Sequence, residues 1–93
     1  MGDELDKKNI LLVDDESISQ DITAAILSVK FNVVTSESGK DALKLLLRYR
    51  PDLILLDIVM PEMDGWETYH KIRGISLLRQ VPIAFLTSLG EEE

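Results

Sequence analysis

Three acidic side chains pose the chemical question in this chain of 93 residues: Asp14 and Asp15 follow the apolar run Ile10 to Val13, and Asp57 closes another, "DLILLD". Carboxylates side by side repel, and a carboxylate beside an apolar wall loses hydration. A cluster of them therefore needs a compensating charge. Mg²⁺ suits that task, because it accepts carboxylates at about 2.0–2.1 Å and completes its shell with water and phosphate oxygens. Asp and Glu also cap helix N-termini, and for Asp14 and Asp15 taken alone capping and metal binding stand level. Asp57 favours the metal, since "IVMPEMDG" behind it is a turn-rich loop that does not enter a helix at once.

The elements that must carry these acids can be read from periodicity. Ile10 to Val13 is a short run apolar on both alternating sides, as in a strand covered on both faces. In "SISQDITAAILSVK", residues Ile18, Ile22, Ala25, Ile26 and Val29 fall on one face of a helix, which Glu16 or Ser17 can begin. "FNVVTS" is a second strand rich in β-branched residues. "ESGKDALKLLLRYR" is a helix that runs to Pro51, which disfavours helical geometry at Arg50. "DLILLD" is a buried strand. "WETYHKIR" spaces Trp66, Tyr69 and Ile72 for a third helix ended by Gly74, and "VPIAFLTS" is a fourth strand with Pro82 near its start.

Alternation of strand and helix implies right-handed βαβ units and a parallel sheet flanked by helices. Such sheets bind ligands beyond the carboxyl ends of their strands, where connections diverge to opposite sides. If the first and third strands are neighbours there, Asp14, Asp15 and Asp57 face one crevice.

Composition narrows the class. The length holds one domain, and 45% hydrophobic with 29% charged residues is ordinary for a globular chain. A net charge of −7 disfavours nonspecific nucleic-acid binding, and no apolar run approaches a membrane span. Without cysteine there is neither a disulfide framework nor a thiolate zinc site, which fits a reducing compartment.

Paired acids after the first strand, a lone Asp ending the third, "DIVMPEMDG", and "PIAFLTS" closing on a hydroxyl together resemble a bacterial two-component response-regulator receiver domain. The resemblance implies a flavodoxin-like doubly wound α/β fold, a truncated receiver domain over residues 9–90; residues 1–8, "MGDELDKK", read as a solvated leader and 91–93, "EEE", as an acidic tail. It implies Asp57 as phosphoacceptor and Asp14, Asp15, Asp57 and the backbone carbonyl of Val59 as Mg²⁺ ligands. Thr87 would contact the phosphoryl group and act as a switch, with Ser88 beside it leaving access, while Pro61 and Gly65 shape the loop after Asp57. The implied partner is a sensor histidine kinase or phosphotransfer protein, in the cytoplasm. Any catalysis would be self-phosphorylation and slow autodephosphorylation. His70 is expected on the surface, and Trp66 and Tyr69 are expected to pack.

The pattern departs from the family at its end. A receiver continues with a fourth helix, a fifth strand bearing a lysine, and a fifth helix, so the fold is expected to be incomplete. Lys7, Lys8, Lys30, Lys40, Lys44 and Lys71 all fall elsewhere. The fourth strand would then be a sheet edge with a bare apolar face, so the 93 residues are expected either to be a piece of a longer protein or to self-associate along that strand. An interaction or dimerisation element, not phosphorylated, is the competing function. A metal-dependent phosphatase with an Asp nucleophile ranks lower, because position 59 is Val where a second acid is wanted.

Overall fold

The computed structural model describes residues 7–60 and 62–86. Four strands, β1 (Asn9–Val13), β2 (Asn32–Ser36), β3 (Leu53–Asp57) and β4 (Ile83–Leu86), form one parallel sheet in the order β2-β1-β3-β4. Helices α1 (Ser17–Leu27), α2 (Gly39–Leu45) and α3 (Gly65–Arg73) connect them, with a short 3₁₀ turn at Ser76–Leu78 before β4. This is the expected flavodoxin-like doubly wound fold, four strands wide.

The two faces of the sheet are covered unequally. Leu11, Val13, Ile54 and Leu56 pack with Ala42 and Leu46 of the α2 segment, Ile72 of α3, Met60 and Leu78 into one core. Each such side chain contributes about 1.5–3 kcal/mol by leaving water. Strand alternation sends Ile10 and Leu12 to the opposite face, where they are also buried beside α1. Farther along that face Leu53 and Leu55 are only half-buried, and Ala84 is exposed.

Helix α1 is turned with its apolar stripe outward. Ile18, Ile22 and Ile26 are 66%, 57% and 68% exposed, while Gln20 is buried and Thr23, Ala24 and Leu27 are half-buried; Val29, expected on the same helix, lies past its end at Leu27 and is 73% exposed. Polar anchors fix this phase: Glu16 caps the helix by accepting from the Ser19 amide at 2.9 Å, and Gln20 bonds into the sheet.

Helix α2 ends earlier than Pro51. Its last turn tightens into i→i−3 bonds, Leu47 N to Lys44 O at 3.2 Å and Arg48 N to Leu45 O at 3.1 Å. Ser38 begins the helix by accepting from the Asp41 amide.

β4 is an edge, as expected, but its large side chains are partly covered. Ile83 and Phe85 pack against the core, and the Phe85 ring lies 4.7 Å from Trp66 and 5.5 Å from Tyr69. Tyr69 therefore packs as expected, whereas Trp66 meets Phe85 but remains 51% exposed. His70 is exposed, edge-on to Tyr69.

Candidate functional site

The order β2-β1-β3 makes β1 and β3 neighbours, with Val13 registered against Leu56. The next residues, Asp14 on one strand and Asp57 on the other, thus emerge side by side at the carboxyl end of the sheet. Here the connections diverge, one to α1 and the other to the α3 side. Asp14, Asp15 and Asp57 each bring a carboxylate oxygen within 4.8 Å of the others.

Their environments differ. Asp14 is 4% and Asp57 9% exposed, whereas Asp15 is open to solvent. Both oxygens of Asp14 are engaged: Oδ1 accepts from the Glu16 amide at 3.0 Å and Oδ2 from the Ser19 hydroxyl at 2.9 Å. Oδ1 of Asp57 accepts from the Val59 amide at 3.3 Å. Desolvation above all pushes the Asp57 carboxyl above the ordinary range; the Val59 amide works against this, while Asp14 and Asp15 add to the rise.

These are hard oxygen donors with uncompensated negative charge, a set that fits Mg²⁺ and not a soft metal. The Val59 amide turns back to Asp57, and the Val59 side chain is 67% exposed at the rim. Thr87, Ser88 and Pro61 lie outside the described residues.

The loop after β3 is pinned by Gly65. Its amide donates to the Ile58 carbonyl at 2.9 Å, and a Cβ there would lie 2.6 Å from Ile58 Cα and still closer to the Asp57 carbonyl oxygen. Only glycine permits this approach. Glu62, in the same loop, has φ 63°, a left-handed conformation unusual for a side-chain-bearing residue. Asp64 caps α3 through the Glu67 amide at 2.9 Å.

Ser19 and Gln20 were not singled out by the sequence reasoning. On a helix, each reads as an ordinary polar residue. No sequence signal marks Gln20, because its burial follows from the phase of α1, which places it with Thr23, Ala24 and Leu27 on the sheet side.

A doubly wound α/β sheet with an acidic crevice at its switch point, the place where such sheets bind ligands, sets the class of this domain. Within it, the model of the response regulator receiver domain matches residues 10–93, and the chain belongs to that family. A probable transcriptional regulator, ycf27, of Cyanophora paradoxa is 37% identical over 89 residues, covering 95% of this chain and 36% of the relative. The N-terminal domain of a response regulator receiver protein from Methanoculleus marisnigri superposes with a TM-score of 0.82 at 38% identity, over 86% of this chain and 66% of that one. The receiver domain of a signal transduction histidine kinase from Syntrophus aciditrophicus gives 0.81 at 33%, over 86% and 61%. The chain thus spans about a third of that curated relative and about two thirds of the solved domains. Among the described residues no helix is long and apolar enough to cross a membrane.

Proposed function

We propose that this receiver domain accepts a phosphoryl group on Asp57 in a two-component signalling system. The observation that carries the reading is the convergence of Asp14, Asp15 and Asp57 within 4.8 Å at the carboxyl end of β1 and β3. A carboxylate oxygen of Asp57 attacks the phosphorus of a phosphorylated donor. The new O–P bond makes an acyl phosphate, and the donor's bond to phosphorus breaks with its electron pair leaving on the donor.

Asp14, Asp15, Asp57 and the Val59 carbonyl would hold Mg²⁺. When bound, the ion offsets the repulsion among the acids and the charge of the incoming phosphoryl oxygens. The protein's own contribution is placement. Glu16 N–H and Ser19 Oγ hold Asp14, Val59 N–H holds Asp57, and Gly65 keeps the loop low against the strand end. Thr87, following β4 directly, is assigned to the phosphoryl oxygens by the resemblance.

A sensor histidine kinase or phosphotransfer protein is the proposed donor. The outward stripe of α1, Ile18, Ile22 and Ile26, supports this, because it starts one turn from the acids and offers an apolar surface to a partner helix. A cytoplasmic location agrees with such a partner and with the absence of cysteine.

A second reading, an association element, is favoured by β4 lying at an edge of the sheet. Self-association along β4 would not depend on Asp57. Intact mass after incubation with acetyl phosphate separates the two. The first reading requires one phosphoryl group, dependent on Mg²⁺ and lost in Asp57→Asn. No uptake, or uptake surviving the substitution, overturns it.

A further inference from the structure

We propose that Gln20 is a positioning residue that holds the Asp14–Asp15 pair in place by clamping the ends of β1 and β2 together. The carboxamide is buried, 6% exposed, and its Nε2 donates to the Asp14 carbonyl at 3.1 Å and to the Ser36 carbonyl at 2.9 Å. Neither acceptor is within its own helix. The opposite orientation of the amide would set Oε1 against two carbonyl oxygens, so the surrounding acceptors dictate which way it points.

The Asp14 carbonyl belongs to the peptide plane that joins Asp14 to Asp15. Fixing that plane restricts ψ of Asp14 and φ of Asp15, and so narrows the directions in which both side chains leave the backbone. The Ser36 carbonyl also accepts from the Asp14 amide at 3.1 Å, so one oxygen at the end of β2 receives both the backbone of Asp14 and the clamp. Ser19, next along the helix, holds the Asp14 carboxylate itself through Oδ2. Adjacent residues of α1 thus grip one acid twice, by its main chain and by its side chain. The two grips leave little freedom for Asp14 to swing away from its like-charged neighbours.

Replacing the carboxamide with an apolar side chain of similar length removes this donor from the Asp14 carbonyl and makes the plane between the acids free to tilt. Partners that orient metal ligands are worth about 10- to 100-fold in affinity. Because Gln20 acts on the backbone between the two acids, the lower end of that range applies.

The test compares Gln20→Met with Ile72→Val, a core variant in α3, by two measurements. Amide hydrogen exchange without metal reads the clamp directly: Asp14 N–H should exchange faster in Gln20→Met relative to Leu11 N–H, while Ile72→Val should move the two together. Mg²⁺ titration by calorimetry reads the consequence: about a tenfold loss of affinity in Gln20→Met and none in Ile72→Val. Gln20→Asn, which keeps a donor on a shorter arm, should recover part of both. Unselective exchange with unchanged affinity in Gln20→Met would overturn the proposal, leaving Gln20 a structural tie. The affinity readout rests on the phosphoacceptor reading, and the exchange readout does not. A chain that binds no Mg²⁺ but shows selective exchange at Asp14 would refute that reading and support the clamp.

Discussion

Removing the charge of Asp57 should make the metal-free protein more stable, and the amount can be worked from the crevice. At the 4.8 Å limit separating the carboxylate oxygens, two unit charges repel by about 3 kcal/mol at an effective dielectric of about 20, and by about 1 kcal/mol in water. The larger figure suits Asp14, buried like Asp57; the smaller suits exposed Asp15. Asn keeps an oxygen for the Val59 amide and loses both repulsions, so Asp57→Asn should gain about 2–4 kcal/mol. With a urea slope of about 2 kcal/mol per molar, the midpoint in EDTA at pH 7 rises by about 1–2 M. Mg²⁺ should then narrow the gap by stabilising the native protein, by about 2.7 kcal/mol at a hundredfold excess over Kd. Acid should narrow it too. Because the folded Asp57 carboxyl sits above the ordinary range, the folded state holds this proton more tightly than the unfolded chain. Its charged form costs stability above that range, and the cost disappears as the pH falls below it. A midpoint in EDTA equal to or below the native one would refute the reasoning, since it would mean that the acids are already compensated within the protein.

Gly65→Ala should lower the urea midpoint by the equivalent of about 2–4 kcal/mol and weaken Mg²⁺ binding, because the added methyl drives the loop off the end of β3; calorimetry and denaturation check both. Asp15→Ala should cut Mg²⁺ affinity and raise metal-free stability modestly, by the roughly 1 kcal/mol of repulsion lost against each of Asp14 and Asp57; an unchanged titration would return Asp15 to a surface role. Ile22→Glu with Ile26→Glu should leave the stability read from urea denaturation within about 0.5 kcal/mol, since both side chains are already exposed. The pair should also spare uptake from acetyl phosphate but slow transfer from a phosphorylated protein donor, measured side by side.

The strands and the three acids were legible because their signals are local. "LILLD" and "ILLVDD" are apolar runs that end on charge, and the alternation of elements places strand ends together. The phase of α1 was not legible in the same way. Its apolar periodicity marks a face, but the buried side is chosen by Gln20 and the Glu16 cap, whose partners lie at Asp14, Ser36 and Ser19. A long-range hydrogen bond leaves no periodic trace. The early end of α2 escaped for a similar reason: "LLLRYR" carries strong helix formers, yet Leu46 is drawn into the core and the backbone tightens there. The bare face expected on β4 proved narrower, because Trp66 and Tyr69 reach Phe85 from α3.

The all-parallel sheet has a consequence for how the chain is made. β1 pairs with β2 on one side and with β3 on the other, and Ile10 lies opposite Leu53. The bond from the Asn9 amide to Asp52 bridges 43 positions of sequence. At about 5–20 residues per second, β1 waits roughly two to nine seconds during synthesis before β3 is available. For that interval β1, the most deeply buried strand among the described residues, lacks native cover along the edge that β3 will take. The same strand delivers Asp14 to the crevice, so the acids come together only when that edge has been paired.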